Sequence, residues 1–360
     1  MSPRFHTLTV KDVRRETPDA VSIAFDVPSD LQDAYHYEPG QYLTLKTDID
    51  GSEVRRSYSI CSGVDDGEIR VAVKKVDGGV FSTFANEGLS AGVPLDVMTP
   101  MGRFVVPVDP TAEKVYVALA AGSGITPIMA QIKTILAREP KSRFFLFYGN
   151  RTAQSILFKD EIEDLKDRFL QRLSVVHVLS GEAQDVPILS GRLEPDKVKA
   201  FLTHVMPAAN VDHFLVCGPG LMIEGARKVL EELQVPEEKV HVELFTPAGS
   251  EITSAPPVRK KPVVEDGESR SAEVIQDGTS TNLSVKDGET IIDAAIRAGI
   301  DLPYSCKGGM CCTCRAKVLE GEVTMDVNYS LEPWELEAGF VLTCQSHPTT
   351  DKVVLDYDAM

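Results

Sequence analysis

Over the first hundred residues, apolar and polar positions alternate in short runs: "FHTLTVKDV", "AVSIAFDV", "QYLTLKTDI", "EVRRSYSIC", "EIRVAVKKV" and "VPLDVMTP", separated by clusters of Gly, Asp and Pro. A period of two buries one face of each run, so this region predicts antiparallel strands forming a small barrel or sandwich. From about residue 111 the texture changes to continuous apolar runs, "VYVALAA", "FFLFYG", "LSVVHVL" and "HFLVCG". These alternate with stretches of helical period, "PIMAQIKTILARE", "DEIEDLKDRF" and "LMIEGARKVLEEL". Apolar strands separated by helices predict a parallel sheet covered by helices. The segment "TPAGSEITSAPPVRKKPVVEDGES" has no period and reads as a linker. After it, "AEVIQ", "TNLSVK", "RAKVLEGEV" and "VVLDY" predict strands around one helix, "TIIDAAIRAG", stopped by Gly299. The expected organisation is an antiparallel β-barrel over 1–110, an α/β parallel-sheet domain over 111–247, a linker over 248–268 and an α+β domain over 269–360.

A chain of 360 residues is too long for one core, which agrees with this division. The amino-terminal stretch has charges every few residues and does not read as a signal peptide. No apolar run approaches the roughly 20 residues of a membrane span, so no membrane association is expected and the cytoplasm is the expected compartment. Seven cysteines, an odd number, fit a reducing compartment in which clustered thiols bind metal or do redox work. Of the formal charge of -17, about -11 falls after residue 262. Such a surface repels nucleic acid, and it serves either solubility or docking on a basic protein partner.

The cysteines sharpen the picture. In "CKGGMCCTC", Cys306, Cys311 and Cys314 are spaced C-x4-C-x2-C, with Cys344 following at a distance in "VLTCQSH". That is the plant-type [2Fe-2S] ligand spacing. Zinc normally shows two short paired spacings, and a disulfide framework does not suit the compartment. The Gly-rich loop lets backbone N–H groups approach anionic sulfides. Cys312 is left over and reads as a small residue packed under the loop.

Two other stretches hint at cofactors. "AAGSGITPIMAQI" follows an apolar strand and opens a helix, with Thr126 as expected N-cap and Pro127 at the expected first helical position. Gly122 and Gly124 permit close backbone approach, and a helix N-terminus suits a pyrophosphate, although Pro127 stands where the dinucleotide fingerprint has a third Gly. "RRSYSI" places Arg56 and Tyr58 on one strand face and Ser57 and Ser59 on the other, an arrangement that suits a flat ring and a phosphate or an ordinary strand surface equally.

In combination, "RSYS", "GVFS", "GSGITP" and "CGP", followed by the cysteines, resemble the ferredoxin-NADP reductase superfamily with a C-terminal ferredoxin of β-grasp fold. The resemblance spans essentially the whole chain. The wording "GQYLTL", "YGNRTAQSILFKDE" and "NYSLEPWEL" is most similar to the reductase components of bacterial phenylacetyl-CoA ring epoxidases. The resemblance implies that Arg56, Gly79 and Ser82 hold the FAD pyrophosphate, that Tyr58 lies against the isoalloxazine and that Ser59 hydrogen-bonds near its reactive nitrogen, with Ser57 beside them. It implies that Gly122, Gly124, Thr126 and Pro127 line the nicotinamide dinucleotide site and that Cys217, Gly218 and Pro219 sit where nicotinamide meets flavin. Glu243 and Phe245 in "VELFTP" match the family's acidic-x-aromatic ending, with Phe245 covering the flavin.

Arg151, directly after "FFLFYGN", and Lys159 two turns into the following helical stretch favour the 2'-phosphate of NADPH over NADH. Nicotinamide gives a two-electron hydride and an iron-sulfur cluster takes single electrons, so a flavin must stand between them. The resemblance makes the acceptor a di-iron oxygenase acting on an aryl-CoA thioester. The alternatives are a reductase of the same build for a Rieske oxygenase or steroid hydroxylase, or a non-catalytic redox sensor.

Overall fold

In the computed structural model, residues 4–244 and 269–359 are described. The alternating amino-terminal runs form β1 (Phe5–Thr17), β2 (Ala20–Asp26), β3 (Tyr42–Ile49), β4 (Ser52–Ser59), β5 (Ile69–Lys74) and β6 (Pro94–Met98). They lie in one sheet of order β4-β3-β6-β1-β2-β5. An antiparallel bridge between Ile60 and Val71 joins the two edges past the end of β4, closing the sheet on itself. Leu8, Val10, Ile23, Leu43, Leu45, Val71, Val73 and Val97 fill the interior. Alternation concealed one element: "VFSTFANE" forms α1 (Val80–Glu87), whose Phe81 and Ala85 join that core.

The continuous apolar runs become β7 (Val115–Ala121), β8 (Arg143–Asn150), β9 (Leu173–Leu179) and β10 (His213–Gly218). With β11 (Val240–Leu244) they form a parallel sheet of order β11-β10-β7-β8-β9. Both faces are buried, which is why these strands lack alternation. Tyr116, Ala118 and Ala120 of β7 face one core with α2 (Ile125–Arg138) and α3 (Lys159–Arg168). Val115, Val117 and Leu119 face the other with α4 (Pro195–Ala200) and α5 (Gly220–Glu232). The first of these cores also takes in Cys61, Ala72 and Phe104, so barrel and nucleotide-type sheet share apolar contact.

The tail forms a second compact body. Its sheet runs β13 (Thr279–Val285), β12 (Arg270–Gln276), β18 (Lys352–Asp356), β14 (Arg315–Glu320), β16 (Phe340–Leu342). The pair β12 and β18 is parallel at the centre, with antiparallel neighbours, as in a β-grasp. Helix α6 (Ile291–Arg297) packs Ile291, Ile292, Ala294 and Ala295 into the core. Thr290 caps it by accepting from Asp293 N, and Gly299, at φ 72°, follows its last residues. The short strands β15 (Val323–Met325) and β17 (Ser346–Pro348) and the helix α7 (Pro333–Glu337) have too few residues to show a period in the sequence. The expected linker lies outside the described residues.

Candidate active site and metal centre

In the parallel sheet, β8 and β9 lie on one side of β7 while β10 and β11 lie on the other. The strand order therefore reverses between β7 and β10, and ligands of open α/β sheets bind outside the carboxyl ends at such a point. β7 is followed by the turn Gly122–Gly124, and β10 ends in Cys217 and Gly218, followed by Pro219. They touch so closely that a Cβ on Gly124 would stand 2.3 Å from the Cys217 carbonyl oxygen, so only glycine fits. Gly122 has φ +54° and open space where its Cβ would be, and its carbonyl accepts from Tyr148 OH at 2.9 Å.

The expected cap differs. The 3-10 turn of Gly122–Gly124 runs straight into α2, making Gly124 the N-cap, with Thr126 and Pro127 second and third in the helix. Thr126 Oγ1 donates to Ser123 O at 3.0 Å instead of accepting a backbone N–H. The Ile125 N–H donates back to Gly122 O and Ser123 O, so the N–H groups without intrahelical acceptors are those of the 3-10 turn itself. Pro219 is the N-cap residue of α5, so a second helix N-terminus opens at the same crevice.

Ser59, Cys217 and Glu243, distant in sequence, come together. Parallel register sets Glu243 of β11 beside Cys217 of β10. Ser59 Oγ, buried at the end of β4, donates to Glu243 Oε2 at 3.2 Å, and Cys217 Sγ lies 4.0 Å from the same oxygen. Burial pushes the Glu243 carboxyl up to about 8, against the Ser59 hydrogen bond, which lowers it. Burial, and then the Glu243 charge, also raises the Cys217 thiol. Both shifts favour the protonated, uncharged forms of the carboxyl and the thiol. Phe245 lies outside the described residues.

Tyr58 is half-buried, its ring 5.5 Å from that of Phe81 in α1. Arg56 is exposed and Ser57 half-buried, so the strand offers a cation and hydroxyls beside an aromatic platform. Gly79 is the N-cap residue of α1. Ser82 Oγ donates to Gly79 O and accepts from Val76 N, both at 3.1 Å, and so braces this turn.

Arg151 is exposed just past β8, and its carbonyl accepts from Gly181 N at 2.7 Å. Lys159 is the first residue of α3, not two turns into a helix, because a 3-10 turn and a second turn through Phe158, at φ 58°, take up the preceding residues. Sequence reasoning passed over Glu182, which reaches the same loop and accepts from Ala153 N at 3.1 Å. An acid three residues past the end of a parallel strand was the available signal.

In the tail, the four spaced cysteines form two hydrogen-bonded pairs. Cys311 donates toward Cys306, whose thiol is held below its ordinary value by that bond and by the backbone N–H groups of Gly308, Met310 and Cys311. Cys314 likewise supports Cys344, aided by Gln345. Among the described residues no three candidate ligands converge as one mononuclear ion requires. Two thiols per metal is what a two-iron, two-sulfide rhomb needs, so the donor set fits that cluster better than zinc.

The surrounding donors suit an anion. Gly308 N lies 3.3 Å from Cys306 Sγ, Thr313 Oγ1 3.2 Å from Cys311 Sγ, and Gln345 Nε2 3.5 Å from Cys344 Sγ. Thr313 and Gln345 were not singled out from sequence, though each adjoins a ligand-type cysteine. Cys312 is half-buried at φ 52°, packed against the tail core.

Comparison with known proteins agrees with this division. Residues 7–106 match the oxidoreductase FAD-binding domain family, 118–228 the oxidoreductase NAD-binding domain family and 274–349 the 2Fe-2S iron-sulfur cluster binding domain family. The chain is 46% identical to one subunit of the 1,2-phenylacetyl-CoA epoxidase of Escherichia coli (strain K12), over 99% of this chain and 98% of that one. It is 33% identical to the ferredoxin reductase component of a Rhodococcus rhodochrous 3-ketosteroid-9-alpha-monooxygenase, over 97% and 96% of the two chains. Phthalate dioxygenase reductase, at 22% identity and TM-score 0.57 with 98% of each chain covered, shares the fold.

Proposed function

Because this chain belongs to the family of flavin- and [2Fe-2S]-dependent reductase components of oxygenases, we propose that it passes electrons from NADPH through FAD and a [2Fe-2S] cluster to the di-iron oxygenase of a phenylacetyl-CoA epoxidase. The observation that carries this reading is the hydrogen bond from Ser59 to Glu243, which joins a barrel strand to the nucleotide-type sheet beside Cys217. The working boundaries are those read from the sequence: 1–110, 111–247, a linker over 248–268, and 269–360.

Bound FAD supplies the conversion of a two-electron hydride into single electrons. In this reading Arg56, Gly79 and the first turn of α1 hold its pyrophosphate, with Ser57 beside them, and Tyr58 flanks its ring. Ser82 acts through the turn it braces, since its hydroxyl is engaged there. Gly122, Gly124, Thr126 and Pro127 form the nucleotide's turn. Cys217, Gly218 and Pro219 would hold the nicotinamide, and Phe245 is the aromatic residue that would meet the flavin. Ser59 orients the Glu243 carboxyl, which stores a proton beside the reacting rings. Arg151 and Lys159 offer cations to a 2'-phosphate. Cys306, Cys311, Cys314 and Cys344 ligate the two irons. Seven cysteines without a disulfide suit the cytoplasm.

The test is anaerobic titration of purified holoprotein with NADPH, followed by addition of epoxidase oxygenase subunits and phenylacetyl-CoA. Bleaching of flavin and cluster absorption and formation of the epoxide support the reading. Material lacking iron or flavin sinks it. The 33% identity to a ketosteroid monooxygenase component favours one second reading, the same relay serving a steroid hydroxylase. Turnover with that acceptor and none with the epoxidase would select it.

A further inference from the structure

The stretch "NYSLEPWEL" carries no ligand-type cysteine, yet it is tied to the cysteine loop. Tyr329 N and Ser330 Oγ both donate to the Gly309 carbonyl at 3.1 Å, between Cys306 and Cys311. Asn328 braces the turn, accepting from Ser330 N and Leu331 N and donating to Leu331 O. Helix α7 follows at once. Its Glu335 is 1% exposed, with one carboxylate oxygen accepting from Arg315 Nε at 2.8 Å and the other from Glu332 N at 3.1 Å. Arg315 directly follows Cys314, and its guanidinium lies 3.3 Å from the centre of the Phe340 ring. A buried carboxylate is unfavourable unless paired and hydrogen-bonded, so α7 is clamped onto the strand that begins at Arg315.

What the clamp displays is apolar. Trp334 is 53% exposed and Leu336 42% exposed. Trp334 Nε1 donates to Glu332 Oε2 at 3.1 Å, which turns the indole's polar atom toward its own helix and fixes the ring in advance. Trp is among the residue types enriched at the energetic centres of protein interfaces, and a ring held in place beforehand loses less freedom on binding. Glu332 and Glu337 are exposed beside them, on the part of the chain that carries most of the net negative charge. Charge complementarity therefore asks for a partner with an apolar socket rimmed by Lys or Arg.

We propose that α7 is the element through which this reductase docks on its oxygenase, with Trp334 and Leu336 as anchors and Glu332 and Glu337 as the acidic rim. The partner's identity rests on the reading above, whereas the socket's chemistry does not. The test compares holoprotein carrying Trp334→Ala or Glu337→Lys with wild type. NADPH-driven cluster reduction in stopped flow and ferricyanide reduction should not change. KM for the epoxidase oxygenase subunits should rise roughly tenfold in Trp334→Ala with kcat little altered. Glu337→Lys should raise KM and flatten its salt dependence.

Cytochrome c, a basic haem protein, serves as a second acceptor independent of the epoxidase assignment, and its KM should rise in Glu337→Lys. An unchanged KM in Trp334→Ala with the oxygenase overturns the proposal. So does slower cluster reduction in that variant, which would assign the surface to contact within the chain. If wild type reduces cytochrome c but supports no epoxidation, the acceptor reading fails, and unchanged cytochrome c KM in both variants then overturns the role of α7.

Discussion

The two candidate redox sites are assembled in opposite ways. Three of the four spaced cysteines lie within nine residues, on a loop held by its own backbone donors and by its neighbours Thr313 and Gln345. The Ser59, Cys217 and Glu243 site draws on three strands, and its hydrogen bond spans 184 positions of the chain. A site written locally depends on side-chain identity, whereas a site written through the fold depends on register, burial and the approach of loops. The first should therefore fail outright when a donor is removed, and the second should fail by degrees.

Replacing Cys344 by Ser gives the largest expected effect, because in the proposed reading one iron would lose a sulfur ligand. Iron content should fall to background and acceptor-coupled turnover should drop at least 100-fold, while NADPH–ferricyanide activity through the flavin persists. Retention of two irons per chain would break the contrast. Glu243→Gln comes next, with a loss of roughly 100-fold in hydride-dependent reduction if the carboxyl handles a proton, measured by stopped flow. The wild-type rate should fall as pH rises through about 8, where the carboxyl loses its proton, and the variant should lack that limb. The same sign governs stability. The native group binds its proton more tightly than an unfolded Glu of ordinary value 4.5, so this contribution is full below that value and is lost as pH rises through about 8.

Arg151→Ala should raise KM for NADPH roughly tenfold with little effect on NADH, because an exposed cation contributes modestly. An unchanged NADPH to NADH ratio in steady-state assays would remove the argument for the phosphate. The smallest effect belongs to Cys312→Ser, which should leave iron content and the visible spectrum within error of wild type. Loss of iron there would mean that the ligand set is a different four.

These contrasts also explain what could be read from the chain. Alternation and apolar runs foretold the barrel and the parallel sheet because burial on one face or two leaves a direct imprint on residue order. Helix α1 escaped because "VFSTFANE" is short and lies among strands, and α7 because five residues show no period. The Cys306 to Cys314 spacing was legible because those thiols are near neighbours. Their division into two pairs was not, since it depends on how Cys344 is carried back by the β16 to β17 connection. Thr126 misled because a cap is judged from local sequence, and here the glycine turn continues into the helix and displaces the cap by two positions. Glu243 was singled out by resemblance alone, because its raised proton affinity arises from enclosure that no spacing records.

The contact between Gly124 and Cys217 has a consequence for biosynthesis. The two sides of the crevice are made by strands paired side by side, yet the second emerges from the ribosome roughly 100 residues after the first, a delay on the order of 5 to 20 seconds at ordinary translation rates. Until β10 arrives, the β7 turn has β8 and Tyr148 beside it but lacks the Cys217 side of the crevice. Slow codons placed before residue 213 would lengthen the interval in which that side of the crevice is missing.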